Sequence, residues 1–372
     1  MKTSLLTVRP SRSRNVVVFR RDNMCANWPF VGGLWRWDDG EIAVSFTTCE
    51  SAYKNPGDTE HGRIESRGEQ RLARSFDDGE TWPDDAVQVL YAMPDMLQRL
   101  AFGPPPEPVR LDYANPDTVL RCHYVMEGIE ARSLRTSFVF GSADRGRTWH
   151  QGPVRLAASH LGGIQGLSSY VVRQDGLVLL FVEGWHSAAA SRDWRCFIFA
   201  SDDGGLSWYY YNALPCDEEP GYVYCHAGPA LLPDGRILCT VRKQYRGSMR
   251  CSHTQLCESE DGGRNWRLLG RLNDYGATPH LLRLRDGRIL CTTERRMPPF
   301  GIRARISEDE TGHSWGPEII LRDDGGSPDL GYSRSCQRAD GSIMTFYYFN
   351  SAHDSIQFHG GVRHISATIW EP

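Results

Sequence analysis

The sequence predicts an all-β fold, a six-bladed β-propeller of four-stranded antiparallel blades. Two repeated motifs and the near absence of helical periodicity support this prediction. The first motif is a box with the pattern Ser-x-Asp-x-Gly-x-(Ser/Thr)-Trp. It occurs at 75–82, 142–149, 201–208, 259–266 (with Asn265 at the hydroxyl position) and, with one extra residue, 307–315. Five copies of one short motif indicate a repeat architecture.

The second motif marks β-hairpins, because Asp-Gly between two apolar runs favours a tight turn between strands. It occurs at 39–40, 175–176, 234–235, 286–287 and 340–341, and Asn115-Pro116-Asp117 occupies the remaining place, between 109–111 and 119–120. Each of the first five hairpins is followed by one box. The repeating unit is therefore a hairpin, a strand, a box and a strand, which makes one four-stranded blade.

The chemistry of the box predicts a turn. The Asp side chain can accept hydrogen bonds from nearby backbone N–H groups, and the Gly permits a backbone conformation that a Cβ atom disfavours. The Trp can fold back as an apolar plug. We therefore expect the boxes to stabilise the fold and not to form a reaction centre.

The two ends of the chain are predicted to close the ring. The sixth hairpin is followed by a strand at 364–370 but by no box, so the strand at 15–20 is expected to supply the outer strand of that blade. Residues 92–102 are predicted to form a short helical turn or loop, and 104–106 a linker. The regular repeats favour a single domain over residues 1–372.

Composition narrows the class of partner. The net charge is −4 over 372 residues, and no apolar run is long enough to span a membrane, so neither nucleic acid nor a membrane is an expected partner. The eleven cysteines include no Cys-x-x-Cys pair, which favours reduced, buried thiols and a cytoplasmic location. A mature secreted form stays open. No motif predicts a metal site or another cofactor.

Box and hairpin together resemble those of the sialidase (neuraminidase) superfamily, whose six-bladed propellers carry such "Asp boxes". The resemblance in architecture covers nearly the whole chain. It implies a glycoside hydrolase that acts on a saccharide, with its site in the funnel where the innermost strands begin.

Three residues carry the resemblance at the site. Gly331-Tyr332-Ser333 is similar to the Gly-Tyr-Ser of sialidases, whose Tyr attacks the anomeric carbon. Arg242 matches an arginine that binds the substrate carboxylate. His226 stands where sialidases carry the Glu that activates the Tyr, and a neutral imidazole can accept the same proton.

The loop after the first hairpin supplies candidates for the general acid. Sialidases place an acid/base Asp there, often next to a His, and here Asp58, Glu60 and His61 are all candidates. The carboxylate-binding arginine triad is incomplete: residues 25–30 contain no Arg, and near the third position stand Arg296 and Arg303. Asn27 and Trp28 instead suggest hydroxyl recognition and sugar stacking.

Further polar and aromatic residues precede a hairpin or follow its second strand, and are therefore expected at the funnel. They are Gln165, Glu183, Trp185, His186, His280 and Glu294. Each alone is equally consistent with a capped or solvent-facing side chain. Together they favour a polar ligand, most simply a saccharide.

Three functions follow. The first is a sialidase-like exo-glycosidase that cleaves a terminal, acidic sugar, with Tyr332 as nucleophile. The second is a polysaccharide lyase that removes a proton beside a uronate carboxylate neutralised by Arg242. The third is a non-catalytic propeller that binds glycan or protein. Release of an ultraviolet-absorbing unsaturated product separates the lyase from the hydrolase.

Overall fold

Six sheets follow one another along the chain and form the six blades of a β-propeller in the computed structural model. The structure describes residues 6–103, 107, 109–126, 135–186, 193–217, 219–248 and 251–372. The predicted fold class is confirmed. The predicted linker at 104–106 lies outside the described residues.

Strands make up most of the ordered structure. In chain order they are β1 (Thr7–Val8), β2 (Ser13–Phe19), β3 (Met24–Asn27), β4 (Leu34–Arg36), β5 (Ile42–Glu50), β6 (Glu69–Ser75), β7 (Val87–Ala92), β8 (Val119–Met126), β9 (Arg135–Ser142), β10 (Gln151–Arg155), β11 (Gly163–Val172), β12 (Val178–Trp185), β13 (Arg195–Ser201), β14 (Tyr209–Ala213), β15 (Tyr222–Leu231), β16 (Ile237–Tyr245), β17 (Ser252–Ser259), β18 (Arg267–Arg271), β19 (Gly276–Arg283), β20 (Ile289–Arg295), β21 (Gly301–Ile306), β22 (Glu318–Arg322), β23 (Gly331–Gln337), β24 (Ile343–Phe349) and β25 (His364–Trp370). The helices are α1 (Pro29–Gly32), α2 (His61–Arg67) and α3 (Met93–Phe102), with 3₁₀ turns at Pro56–Thr59, Asp84–Ala86 and Phe358–Gly360.

Blades three to six follow the predicted order of strands from the axis outward. Blade three is β11–β14, blade four β15–β18, blade five β19–β22, and blade six β23–β25 with β2 outermost. In blade one, β3 and β4 together form the innermost position against β5, because α1 interrupts that strand. Strand β1 adds to the outer edge of blade five, parallel to β22.

The N-terminal segment closes the ring as predicted. β2 pairs antiparallel with β25, from Ser13 opposite Trp370 to Phe19 opposite Ile365. The final blade therefore joins the two ends of the chain, and the outer edge of β25 is paired. The segment predicted as a helical turn or loop is the ten-residue helix α3. No helix among the described residues is long and apolar enough to cross a membrane.

The boxes are turns, as the sequence predicts. In the first box, the Ser75 hydroxyl donates to Asp77 at 2.7 Å, and Asp77 accepts the Thr81 backbone N–H at 2.9 Å. The glycine of the box, Gly79, has φ of 89°, in the region that favours glycine. Trp82 packs edge-on against Phe346 of blade six, with ring centroids 5.5 Å apart. Each such box thus ties its blade to the preceding one.

Blade two departs from the prediction, because residues 109–111 do not form its innermost strand. The described part of this blade contains three strands, β8 to β10. The Leu111 backbone N–H instead donates to Gly204 in the box of blade three. The inner edge of β8 is covered by side chains of β11: the Ser168 hydroxyl bonds the backbone of Cys122, and the Tyr170 hydroxyl accepts from the Leu120 N–H.

All eleven cysteines are free thiols, and all except Cys216 and Cys251 are buried. Six of the buried ones, Cys25, Cys49, Cys196, Cys239, Cys257 and Cys336, belong to two of the apolar core clusters, as the strand-like runs around the cysteines predict.

Candidate active site

The six second strands place one residue each at the same level of the propeller. This residue lies seven positions after the hairpin Gly, or after Asp117 in blade two, and the set is Thr47, Tyr124, Glu183, Arg242, Glu294 and Tyr348. In five blades this residue is paired with a residue on the innermost strand. Immediately after that partner, the regular pairing of the innermost strand is interrupted. The interruption turns the next residue of the inner strand out of the alternating pattern.

Three of those next residues have positive φ: Trp28 at 60°, His226 at 57° and Tyr332 at 53°. They belong to blades one, four and six, yet their rings meet. Tyr332 lies 4.9 Å from His226 and 6.5 Å from Trp28, measured between ring centroids. Side chains from opposite sides of the ring can meet in this way only at the axis. We call this region the funnel cluster. It consists of these three residues and the charged residues around them, which are His61, Glu183, Arg242, Glu294, Arg296 and Asp329. Strained backbone in a core this well packed is typical of functional sites.

The Tyr332 phenol lies between an imidazole and two guanidinium groups. The His226 ring stands at 90° to it, and the Arg296 Cζ is 5.5 Å from its ring centroid. Burial raises the pKa of Tyr332, while the charges of Arg242 and Arg296 oppose that rise. The phenol is therefore neutral at rest, and its ionised form has two cations to stabilise it.

Glu183 is buried beside His226. Its Oε2 accepts the His226 backbone N–H at 2.9 Å and lies 3.6 Å from the His226 Nδ1. Burial raises the pKa of Glu183 to about 7. Burial, followed by the charges of Arg242 and Arg296, holds the pKa of His226 well below its usual value. The imidazole is therefore neutral, and the carboxyl group exchanges its proton near neutral pH.

His61 and Asp329 form a second acid–base pair at the mouth of the cluster. The His61 Nε2 is 3.1 Å from Asp329 Oδ1, and the imidazole packs edge-on against Trp28 at 5.1 Å. Burial lowers the pKa of His61, but the charge of Asp329 and its hydrogen bond outweigh burial, so the net shift is upward. The Asp329 carboxylate is held by Arg363 at 2.7 Å and by the Tyr348 hydroxyl at 2.5 Å. The arrangement favours a protonated His61.

Several polar atoms of the funnel are buried without a hydrogen-bond partner. They are Nε and Nη2 of Arg242, Oε2 of Glu294, Nε1 of Trp28 and both amide atoms of Asn27. Arg296 is different, because Glu294 Oε1 accepts from its Nε at 3.2 Å. Buried polar groups are normally satisfied in native proteins. Unpaired donors and acceptors at the axis are therefore what a site for a polar ligand requires.

The funnel has a closed floor beneath these residues. Arg334 donates to the Phe30 carbonyl at 2.9 Å and to the Ser168 carbonyl at 2.6 Å, which links blades six, one and three across the axis. Its Cζ lies 4.8 Å from the Phe30 ring centroid. Among the described residues, Arg334 therefore obstructs the axis on the side of Phe30 and Ser168.

The structure brings together nine of the residues that the sequence singles out. They are Asn27, Trp28, His61, Glu183, His226, Arg242, Glu294, Arg296 and Tyr332. Gln165 lies opposite Glu183 in the ladder of blade three and is buried. Trp185 lies farther along the same strand, edge-on to Trp194 at 5.0 Å.

Two predicted general acids stand apart from the cluster. The Asp58 carboxylate accepts the N–H groups of Lys54 and Asn55 and so caps its own 3₁₀ turn. Those backbone bonds lower its pKa, which opposes a role as proton donor. Glu60 is exposed on the same loop. His61 is the candidate from this loop that faces the cluster.

Three further predicted residues are engaged elsewhere. Arg303 binds the carbonyls of Arg322 and Pro299 at the outer strands of blade five. His186 is exposed and packs on Phe197. His280 accepts the Ser335 N–H through Nδ1 at 3.3 Å, beside the floor of the funnel.

Five residues in or beside the candidate site were not singled out from the sequence: Glu65, Tyr124, Asp329, Tyr348 and Arg363. Tyr124 and Tyr348 occupy the seventh position after their hairpins, so the repeat register could have found them. Glu65 bonds the Tyr124 hydroxyl at 2.8 Å and lies one helical turn after His61, but helix α2 carries no strong sequence signal.

One group among the described residues has side chains suited to a metal ion. Ligand atoms of Glu183, Cys225 and His226 lie within 4.8 Å of one another. The positive charge of Arg242 acts on the same carboxylate. Because that guanidinium already supplies a cation, the arrangement does not favour a metal ion.

Comparison with known proteins agrees with the fold. The chain is 25% identical to a protein of unknown function from Dyadobacter fermentans, with a TM-score of 0.74 and coverage of 96% of this chain and 99% of that one. It is similar to Trypanosoma rangeli sialidase in complex with sialic acid at 14% identity and a TM-score of 0.57, covering 98% of this chain and 59% of the sialidase. It is also similar to an α-L-arabinanase from Penicillium chrysogenum complexed with arabinobiose at 13% identity and a TM-score of 0.62, covering 97% and 98%.

A search of curated protein sequences found no match. The solved structures with 13% and 14% identity establish the fold alone. The family is established by sequence, since residues 106–345, which are more than half of the chain, match the model of the BNR repeat-like domain. The chain therefore belongs to the BNR repeat-like domain family, on a sialidase-like six-bladed propeller.

Proposed function

We propose that the protein is a glycoside hydrolase that cleaves a terminal acidic sugar in the funnel. The observation that carries the proposal is the environment of Tyr332: a phenol at the axis that contacts neutral His226 and faces the charges of Arg242 and Arg296. A neutral nucleophile suits an anionic sugar, because it does not repel the substrate carboxylate.

Arg242 and Arg296 have two roles in this proposal. The unpaired Nε and Nη2 of Arg242 can form a bidentate pair with the sugar carboxylate. Both charges also stabilise the phenolate as Tyr332 attacks the anomeric carbon. The phenolic proton passes to the neutral His226, with Glu183 beside its Nδ1 to stabilise the imidazolium that forms.

Protonation of the leaving oxygen is assigned to His61. Asp329 keeps this imidazole charged, and Trp28 beneath it offers an apolar face for a sugar ring. Once the leaving group departs, neutral His61 can accept a proton from the water that hydrolyses the glycosyl-tyrosine bond. Aglycone release and hydrolysis thus use one residue as acid and then as base.

Elimination is the second candidate, because burial and the neighbouring guanidinium charges keep His226 neutral and so able to accept a proton. A neutral imidazole beside Tyr332 could abstract the proton next to a uronate carboxylate held by Arg242. The product would then carry a carbon–carbon double bond and absorb in the ultraviolet. Hydrolysis gives no such absorbance.

The test is a panel of aryl glycosides and uronate oligosaccharides, assayed with the wild type, Tyr332→Phe and Arg242→Ala. On the uronate oligosaccharides, the hydrolase proposal expects reducing sugar without the absorbance of an unsaturated uronate. On the aryl glycosides it expects release of the aryl group, and turnover should be lost in both variants. Tyr245→Phe and Arg12→Ala change exposed residues of the same types and should retain full activity.

Other outcomes discriminate between the alternatives. An ultraviolet-absorbing unsaturated product from a uronate oligosaccharide would support elimination and contradict hydrolysis. Absence of turnover on the whole panel, with a glycan that still raises the melting temperature of Tyr332→Phe, would make the protein a glycan-binding propeller.

A further inference from the structure

A second cavity lies between blades one and two, apart from the funnel cluster. Its volume is about 90 Å³, and its walls come from β7, α3, β8, β9 and the Trp of the second box. None of its lining residues belongs to the funnel cluster. The cavity reaches the surface beside Arg99, which is exposed on α3.

Arg121 brings an uncompensated positive charge to this cavity. Its side chain is fully buried. It donates to the Gly32 carbonyl at 3.4 Å, to the Tyr91 hydroxyl at 3.4 Å and to the Gln70 amide oxygen, all of which are neutral. Among the residues that the structure describes, no carboxylate forms an ion pair with it. A buried charge without a counter-charge is costly, so an anion has a strong electrostatic reason to bind here.

The polar groups of the cavity are donors. Arginine has five N–H bonds, and three are used by the neutral partners, which leaves one on each terminal nitrogen. The Tyr91 oxygen accepts from Arg121, so its own O–H is available to donate. The buried Nε1 of Trp149 has no partner, whereas the box residues Trp82, Trp266 and Trp315 each donate Nε1–H to the Gly carbonyl of their own box.

We propose that this cavity binds a small organic carboxylate. Two remaining N–H groups on one guanidinium match the two oxygens of a carboxylate, and the Tyr91 hydroxyl and the Trp149 indole supply further donors. The other walls are the apolar side chains of Leu90, Met96 and Phe140, which suit a short hydrocarbon tail. A free phosphate would leave that apolar surface uncovered.

The test is isothermal titration of the full chain with butyrate, with acetate and inorganic phosphate as parallel probes and chloride used to match ionic strength. The expected result is saturable binding of one butyrate, tighter than acetate or phosphate. Trp149→Phe removes one donor and should weaken butyrate binding roughly tenfold. Arg121→Met should abolish it.

Two controls separate this cavity from other sites. Trp208 belongs to the box of another blade, and its indole N–H is also buried and unpaired. Trp208→Phe should therefore leave the Kd for butyrate unchanged. Tyr332→Phe in the funnel should leave it unchanged as well. If Arg121→Met does not fold, two other variants replace it in the test: Trp149→Phe, and Arg99→Ala at the mouth of the cavity. Both should weaken butyrate binding.

The proposal is overturned by absence of saturable butyrate binding, by a Kd that none of the cavity variants changes, or by phosphate binding more tightly than butyrate. Loss of butyrate binding in Tyr332→Phe would assign the ligand to the funnel and overturn it equally.

Discussion

The imidazole of His226 lies edge-on to the phenol ring of Tyr332, with centroids 4.9 Å apart and an interplanar angle of 90°. Both residues have a left-handed backbone, with φ of 57° and 53°. This conformation is uncommon for residues other than Gly, and more so for Tyr than for His. The strain is maintained by the inner strands of blades four and six, and it brings two chemically reactive rings into contact.

His226→Asn separates the cost of this strain from its use. Asn tolerates a left-handed backbone better than His, so we expect the melting temperature to stay the same or rise. Loss of the imidazole should lower kcat by roughly 10² to 10⁴, as expected for removal of a general base. Circular-dichroism melting and steady-state kinetics measure the two effects. Retained kcat would remove His226 from the mechanism.

Arg242 and Arg296 are predicted to respond oppositely to replacement by Met. Arg242 is buried with two unpaired nitrogens, so an apolar side chain of similar length should leave stability unchanged or raise it. Arg296 forms an ion pair with buried Glu294, so Arg296→Met leaves a carboxylate alone and should cost roughly 3–5 kcal/mol.

Urea denaturation of both variants measures this contrast. The affinity for the acidic sugar should fall in both variants, because in the proposed mechanism each guanidinium faces the phenol and the substrate carboxylate. A large destabilisation by Arg242→Met would mean that Arg242 serves the fold, and would remove its unpaired nitrogens as evidence for a ligand site.

The blade count, the box turns and the closure by β2 could be predicted because each rests on a local signal that repeats. The Asp-Gly turns and the boxes set the register of every blade. Blade two was predicted incorrectly at its inner edge because the deciding contacts are distant: Gly204 captures the Leu111 N–H, and Ser168 covers β8. Such contacts between blades have no signature in the local sequence.

The site was predictable only where it follows the repeat register. Tyr332, His226 and Arg242 stand at fixed steps from their hairpins. Asp329 does not, because it lies in the loop before β23 and approaches His61 only through the ring closure. The choice between Asp58 and His61 as general acid also depends on local geometry, because the Asp58 carboxylate caps its own turn.

The His61–Asp329 pair predicts an alkaline limb in the pH–rate profile. Because the pKa of His61 is raised, activity that needs its proton should decline as pH rises through that raised pKa, later than for an unperturbed histidine. The contribution of the pair to stability has the same upper limit: it is present below the unfolded pKa of about 6.5 and is lost above the folded one. Its lower limit is set by Asp329, whose pKa is depressed.

Profiles of kcat/KM for the wild type, His61→Gln and His150→Gln check this limb. His61→Gln should lose activity and lose the alkaline limb from any that remains. The exposed His150 is the matched control, and its variant should reproduce the wild-type profile. An unchanged limb in His61→Gln would assign the proton to another group.

The boxes should carry stability that depends on pH in the acid range. Asp203 accepts the Ser201 hydroxyl at 2.8 Å, the Ser207 N–H at 3.1 Å and the Ser207 hydroxyl at 2.5 Å. Burial opposes ionisation of this carboxyl, but these bonds outweigh it and lower its pKa. A depressed folded pKa contributes stability that is present above the unfolded pKa of about 3.9 and is lost as pH falls through the folded value.

Asp203→Asn should therefore destabilise the protein at pH 7, by roughly 1.5–3 kcal/mol for hydrogen bonds to a charged group, and much less near pH 2. Asp202, the preceding residue, is exposed at a variable position of the same box, so Asp202→Asn is the matched control and should melt like the wild type. Equal losses in both variants, or a loss in Asp203→Asn that persists unchanged at pH 2, would mean that the charge of the box Asp is not what stabilises the turn.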